Sequence, residues 1–263
     1  LKQKIELGIW RIFLVWYAIG IILVSLDWLP SSLLWANAVF LYLAGILAAI
    51  FSMKVFGNQR GLLFSIIIIL ATISAESLGV HYGLIFGEYH YEKDFGIQLF
   101  GVPITIGFAW LLVIFTSMAF FIHLLEKKRS LTKGFCYVVL TSLLAVAMDL
   151  IIDPVAFKAK QYWIWDQPGF YYDIPNQNFL GWFMVSCTIQ MVLYLVATSK
   201  KFQEFEPWSK KMRLLYVLVL TMFIATALFE QLYLAVFVTL AFFVAIAGYS
   251  YYWRNRYDFT EKE

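Results

Sequence analysis

Four acidic residues sit where a chain this apolar has least use for them. Glu76 follows the run Leu62–Ala75, which carries no charge. Asp149 and Asp153 end another apolar run, and Glu230 interrupts a third. On insertion scales a carboxylate at the centre of a membrane helix costs about 2.5–3.5 kcal/mol, less near the ends, and such residues are usually paired or functional. A spacing of four places Asp149 and Asp153 on one helical face, and Pro154 is expected to stop the helix just after Asp153. Two acids that close repel when both are ionised, so the pair tends to keep a proton. A protonated acid in an apolar pocket is what proton donation to a hydrocarbon requires. Each acid also has a purely structural reading. Glu76 lies near Gly79 and His81 and would suit a solvated helix end, Asp153 could bind loop amides, and Glu230 could be a charged hairpin tip. Asp27, before Pro30, reads as a surface cap.

Two segments rich in aromatic residues flank these acids: GEYHYEKDFGIQLFGVP at 87–103 and KAKQYWIWDQPGFYYDIPNQNFLGW at 158–182. Trp and Tyr are common anchors at a membrane interface. An anchoring belt has no need of His90, Asn176, Asn178 and interleaved acids, however. Aromatic faces stabilise a cation by about 0.5–2 kcal/mol each, and amides with acids can hold a water. Together they describe a partly polar pocket roofing an apolar cavity. His81, His90 and His123 match no metal-ligand spacing, so no metal site is expected. Cys136 and Cys187 lie in apolar runs and imply no disulfide framework. Phosphate loops, haem motifs, serine nucleophile elbows and redox cysteine pairs are absent from the sequence.

The elements that must position these residues follow from composition. The 263 residues are 62% hydrophobic and 14% charged, against about 45–50% and 25% in soluble domains. That excludes a soluble enzyme with one core, and a net charge of +3 gives no support for a nucleic-acid partner. A helix needs about 20 apolar residues to cross a bilayer. The sequence predicts spans at 8–27, 32–53, 61–80, 104–125, 134–153, 178–198, 212–229 and 232–252. As one helix, Met212–Tyr252 would run about 60 Å, so a hairpin near Glu230 and Gln231 is expected. With eight spans, 17 of the 20 Lys and Arg residues fall on one side, and only Lys93, Lys158 and Lys160 on the other. Basic loops stay inside, so both termini are expected in the cytoplasm. The expected fold is an all-α polytopic membrane helix bundle, a single transmembrane domain over 1–263. The chain begins at Leu1, so a few residues are expected to precede it, and the first apolar stretch is read as a span rather than a signal peptide.

A comparison of the third and fifth spans points to a parallel internal repeat, spans 3–4 against spans 5–6. At an offset of 73, Arg60 aligns with Lys133, Gly61 with Gly134, Glu76 with Asp149 and Tyr89 with Tyr162. At 72, Pro103 aligns with Pro175 and Trp110 with Trp182. Parallel repeats are related by an axis along the membrane normal, which would set Glu76 and Asp149 at equal depth.

The strings GEYHYEKDFGIQLFGVPITIGFAW (87–110), DPVAFKAKQYWIW (153–165) and YYDIPNQNFLGWF (171–183) resemble the integral-membrane carotenoid biosynthesis proteins of the CruF type. The resemblance covers about Glu76 to Phe183, with a similar span layout outside. It departs at Ser77, where the family often has a second acid. It implies a carotenoid hydratase of a prokaryotic cell membrane, acting on the terminal isopropylidene bond of a lipid-dissolved acyclic carotenoid. Protonation gives a tertiary cation and water captures it, with no cofactor. Glu76 or Asp149 would donate the proton, its partner or Asp153 would orient water, and the lead roles could be exchanged. Tyr89, Tyr162, Trp163 and Trp165 would line the cation site, and Asn176 and Asn178 would hold the water. His90, Trp182 and Glu230 complete the candidate substrate-binding set, with the pocket expected among spans three to six. A glycosyltransferase acting on the new hydroxyl is the implied downstream partner, beside membrane lipids. Two other readings stand: a carotenoid cyclase or isomerase sharing the protonation step, and a transporter or lipid-binding scaffold.

Overall fold

A computed structural model of the chain describes residues 2–93, 95–125, 130–197 and 205–260. Lys127, Lys128, Arg129, Lys200, Lys201 and Lys262, counted above, lie outside the described residues. Those described form eight long helices: α1 (Lys2–Ser25), α2 (Trp35–Phe56), α3 (Asn58–Tyr82), α4 (Ile104–Phe121), α5 (Leu131–Pro154), α6 (Asn176–Val196), α7 (Glu206–Phe229) and α8 (Tyr233–Thr260). Each contains a stretch long and apolar enough to cross a bilayer. The chain is a polytopic helical bundle, as its hydropathy predicts. The expected hairpin is present: α7 stops at Phe229, and Gln231 turns the chain with φ 60°.

Two boundaries differ from expectation. A 3-10 turn at Ser31–Leu33 precedes α2. More consequentially, Pro154 does not stop the helix after Asp153. The chain continues through it into a π-helical turn, Val155–Ala159. Proline lacks the N–H that would bond the carbonyl four residues back. Here that carbonyl, of Leu150, accepts instead from the Tyr171 hydroxyl at 2.8 Å. A side chain from the next loop replaces the missing bond, so the helix widens rather than ends.

Burial ranks the helices. α4 is apolar on every side and nearly all of it is buried, packed against α2, α3, α5 and α7; such a helix belongs at a core. α1 and α8 are peripheral and turn apolar side chains outward, among them Ile12, Val15, Ile19, Phe237 and Val244. Inside, small residues let backbones meet. A side chain at Gly61 would come 2.4 Å from the Met53 backbone, which is why α2 and α3 can form so close a hairpin. Polar groups in the core are satisfied locally or across helices. Thr72, Thr116 and Thr141 bond carbonyls one turn back. Gln190 accepts from the Tyr137 hydroxyl at 2.6 Å and donates to the Ile114 carbonyl at 2.9 Å, joining α4, α5 and α6.

The connections α3–α4 and α5–α6 emerge on one side of the bundle. The first holds β1 (Tyr89–Tyr91) and a hairpin of β2 (Gln98–Leu99) and β3 (Val102–Pro103); the second holds β4 (Trp163–Trp165). Phe100 and Gly101, both at positive φ, make the tight turn between β2 and β3 that such hairpins favour. β1 pairs with β4 antiparallel, with Tyr89 opposite Trp165 and Tyr91 opposite Trp163. The two connections otherwise differ: one carries the hairpin, the other the π-turn. These contacts do not establish a duplication.

Candidate active site

The β1–β4 ribbon is the roof of the site. Side chains alternate faces along a strand and meet their cross-strand partners on one face. Tyr89, Tyr91, Trp163 and Trp165 therefore share a face, and their rings make contacts with centroids 4.9–6.4 Å apart. His90 lies on the other face.

Under this roof is Glu76, buried on α3. One oxygen accepts from the Tyr89 hydroxyl and the other from Trp110 Nε1 at 2.8 Å. The Trp110 ring, on α4, stacks on that of Trp182, on α6, at 4.3 Å. Burial, with the nearby Glu76 charge and Tyr91 hydroxyl, pushes the Tyr89 phenol well above its usual range. Burial and the Glu76 charge do the same for Tyr91, with a smaller contribution from Asp153. Both phenols thus remain hydrogen-bond donors at any physiological pH, and Tyr91 lies within electrostatic reach of both acid groups.

The second acid group is on α5. Asp149 and Asp153 are both buried and converge on one amide: Asn178 Nδ2 donates to Asp149 Oδ2 at 2.9 Å and to Asp153 Oδ2. Asp153 Oδ1 accepts from Trp163 Nε1 at 3.1 Å. Asp149 Oδ1 and the buried Trp165 Nε1 have no partner among the described residues.

A cavity of about 300 Å³ runs beside both groups. Its polar end is made by Glu76, Asp153, Asn178, Tyr89 and Tyr91, and the rest of its wall is almost wholly apolar. A further polar contact crosses it towards the loops. Lys160, whose side chain is 8% exposed, pairs with Asp27 at 2.7 Å and Glu230 at 3.0 Å. Beside it the Tyr162 hydroxyl accepts from Asn37 Nδ2 at 3.1 Å; burial pushes that phenol up to about 12. Among the described residues, no three His, Cys, Asp or Glu side chains gather as a metal centre would need.

A family of known proteins shares this chain's pattern. The family described as "Carotenoid biosynthesis protein" matches residues 36–246, a span that takes in Glu76, Asp149, Asp153 and the aromatic roof. The chain belongs to that family. A bisanhydrobacterioruberin hydratase of Haloarcula japonica is 31% identical over 140 residues, 52% of this chain and 45% of that protein. The match thus spans about half of each. No solved structure matches the chain.

For this member of the carotenoid biosynthesis family, the candidates named from sequence divide clearly. Glu76, Tyr89, Asp153, Tyr162, Trp163, Trp165, Asn178 and Trp182 line the cavity. Asp149 stands just behind Asp153, joined to it through Asn178. His90 is exposed, 3.4 Å from Asp166. Asn176 is exposed at the start of α6, and Glu230 is taken up by Lys160. Asn178 lines the cavity with its Nδ2 donating to the two aspartates. Alternation along YHY could have separated Tyr89 from His90. Sequence reasoning also missed Tyr91, Trp110 and Lys160, and the contributions of α1, α2 and α7 to the wall. Tyr91 was legible in the same alternation. The wall residues of α1 and α7 carry no charged side chain to mark them, and on α7 Thr226 alone is a hydroxyl among apolar neighbours.

Proposed function

We propose that the protein is a carotenoid hydratase, adding water across the terminal isopropylidene double bond of an acyclic carotenoid end. The observation that carries this reading is the pairing of two separately built acid groups with an aromatic roof at the end of an apolar cavity. The family and the hydratase name of the Haloarcula relative support it.

Asp153, which faces the cavity, donates a proton to the less substituted alkene carbon. The neighbouring carbon becomes a tertiary cation. Tyr89, Tyr91, Trp163 and Trp165 present ring faces to that charge, and the Glu76 carboxylate stabilises it across a short, water-poor gap. Water adds to the cation, and Glu76 accepts the proton that the water loses. Net reaction is alkene plus water giving a tertiary alcohol, with one proton moved from Asp153 to Glu76. The Tyr89 and Tyr91 hydroxyls lie between those acids and offer a route for its return. Asp149 and Asn178 keep Asp153 in place. The chemistry calls for no cofactor. The basic side of the bundle faces the cytoplasm in this reading, with both termini there and the acids near the outer interface, where water is at hand.

The test is mass analysis of pigments from a bacterial host that accumulates an acyclic carotenoid, with and without this protein. A more polar pigment heavier by about 18 mass units per reacted end, alkene protonation having been followed by water capture, is the expected product. A product of unchanged mass with a shifted absorption band would replace the hydratase with a cyclase or isomerase, and no new pigment would favour a transporter or scaffold.

A further inference from the structure

We infer that the cavity opens sideways into the membrane beside α1, and that this opening, marked by Gly20, carries the polyene stem of the substrate while its end lies under the aromatic roof. The identity of the occupant rests on the hydratase reading; the opening itself rests on geometry.

Three residues that line the cavity are also well exposed: Ile19 at 55%, Leu33 at 38% and Trp35 at 54%. All three are apolar, and they belong to α1, the turn that leads into α2 and the first residue of α2. The cavity therefore reaches the surface there. Ile19 continues the outward stripe Ile12, Val15, Ile22 of α1, so the surface reached is the one turned to lipid. On the inner side of the same helix, Trp16, Gly20, Leu23 and Val24 line the cavity. From Trp16 to Val24 is about 12 Å at 1.5 Å per residue, a channel suited to a long rigid chain.

Gly20 is open. A side chain built there meets nothing within 4 Å, although the residue lines the cavity, so the space beside it is passage. Towards the loops the way is crossed by charged and hydrogen-bonded groups: Lys160 with Asp27 and Glu230, and Asn37 with Tyr162. The lipid side offers only apolar side chains. A hydrocarbon meets no desolvation of charge on that route. At about 300 Å³ the cavity is at the small end for enclosed ligands, so most of a long polyene must remain outside, in the membrane.

The experiment fills the passage in steps with Gly20→Ala, Gly20→Leu and Gly20→Phe. Gly8→Leu is the control, because Gly8 is also on α1 with nothing near its Cβ but does not line the cavity. Two readouts are taken: hydration of an acyclic carotenoid in the host, and quenching of tryptophan emission by that polyene in detergent micelles. Membrane abundance and thermal melting confirm folding. The expected result is a graded loss in both readouts, reaching about tenfold or more at Gly20→Phe, with Gly8→Leu unchanged. Wild-type-like binding and turnover in a folded Gly20→Phe protein would overturn the inference, as would an equal loss in Gly8→Leu. Quenching that is strong in the wild type and lost in Gly20→Phe, with no hydrated product from either, would sink the hydratase reading and leave the opening standing. Quenching by bulk-lipid acyl probes but not by the polyene would assign the passage to lipid and overturn the stated occupant.

Discussion

Glu76 on α3 and the Asp149–Asp153 pair on α5 lie beside one cavity but have opposite supplies of hydrogen-bond donors. Each oxygen of Glu76 receives a donor from a fixed aromatic side chain, Tyr89 or Trp110. The pair must share one Asn178 nitrogen between two carboxyl groups, helped only by Trp163, and Asp149 Oδ1 receives nothing from the described residues. Two donors suit a standing carboxylate. Two crowded carboxyl groups with too few donors suit a shared proton, which supplies the missing donor and removes one charge. In the proposed mechanism this difference divides the labour: the proton starts on α5, and the charge that steadies the cation stands on α3.

Substitutions can break that division. Asp153→Asn removes the proton donor and should cost the most, about 10²–10⁴-fold in product formation. Glu76→Gln should cost about 10²–10³-fold by weakening cation stabilisation and water deprotonation. Turnover in deuterated water separates the two. Unreacted substrate should still gain deuterium with Glu76→Gln but not with Asp153→Asn, and the reverse pattern would exchange the roles. Asp149→Asn keeps a hydrogen-bonding group beside Asn178, so the loss should be near tenfold, the scale of one hydrogen bond.

A smaller effect is expected from Tyr171→Phe. It strips the donor from the Leu150 carbonyl and should lower stability by about 1–3 kcal/mol, read as an earlier thermal transition in detergent. Activity should fall with it, because Asp153 rides on the same turn. The smallest effect belongs to the outer face of the roof. His90→Ala should change activity by less than about twofold, whereas Tyr91→Phe, on the inner face, should be measurably slower. Equal losses at both positions in pigment assays would show that the alternation does not govern the site.

Much of this was legible in the sequence, for identifiable reasons. A span of 20 apolar residues has few alternatives in a membrane, so the eight helices and the turn at Gln231 could be read directly. Buried acids stand out against such a background. The roof was legible as composition only. Nothing local in YHY and WIW says that they pair, because the pairing is made by α3 and α5 both packing against α4 and α6 beneath them. Pro154 misled because the rule that proline ends a helix assumes no replacement partner, and Tyr171 supplies one from 21 residues away. The side wall was invisible, since an apolar residue facing a cavity and one facing lipid look alike in sequence.

The β1–β4 ribbon has a further consequence for how the protein is made. Tyr89 and Trp165 are neighbours only after five helices, α1 to α5, have been made, and contacts that distant in sequence form late. Three paired residues per strand give the ribbon little stability of its own. Catalytic competence should therefore mature after the bundle does and be the first property lost under mild stress. Harsh extraction would then yield a chain that keeps its helicity and its monodispersity and has already lost its active site.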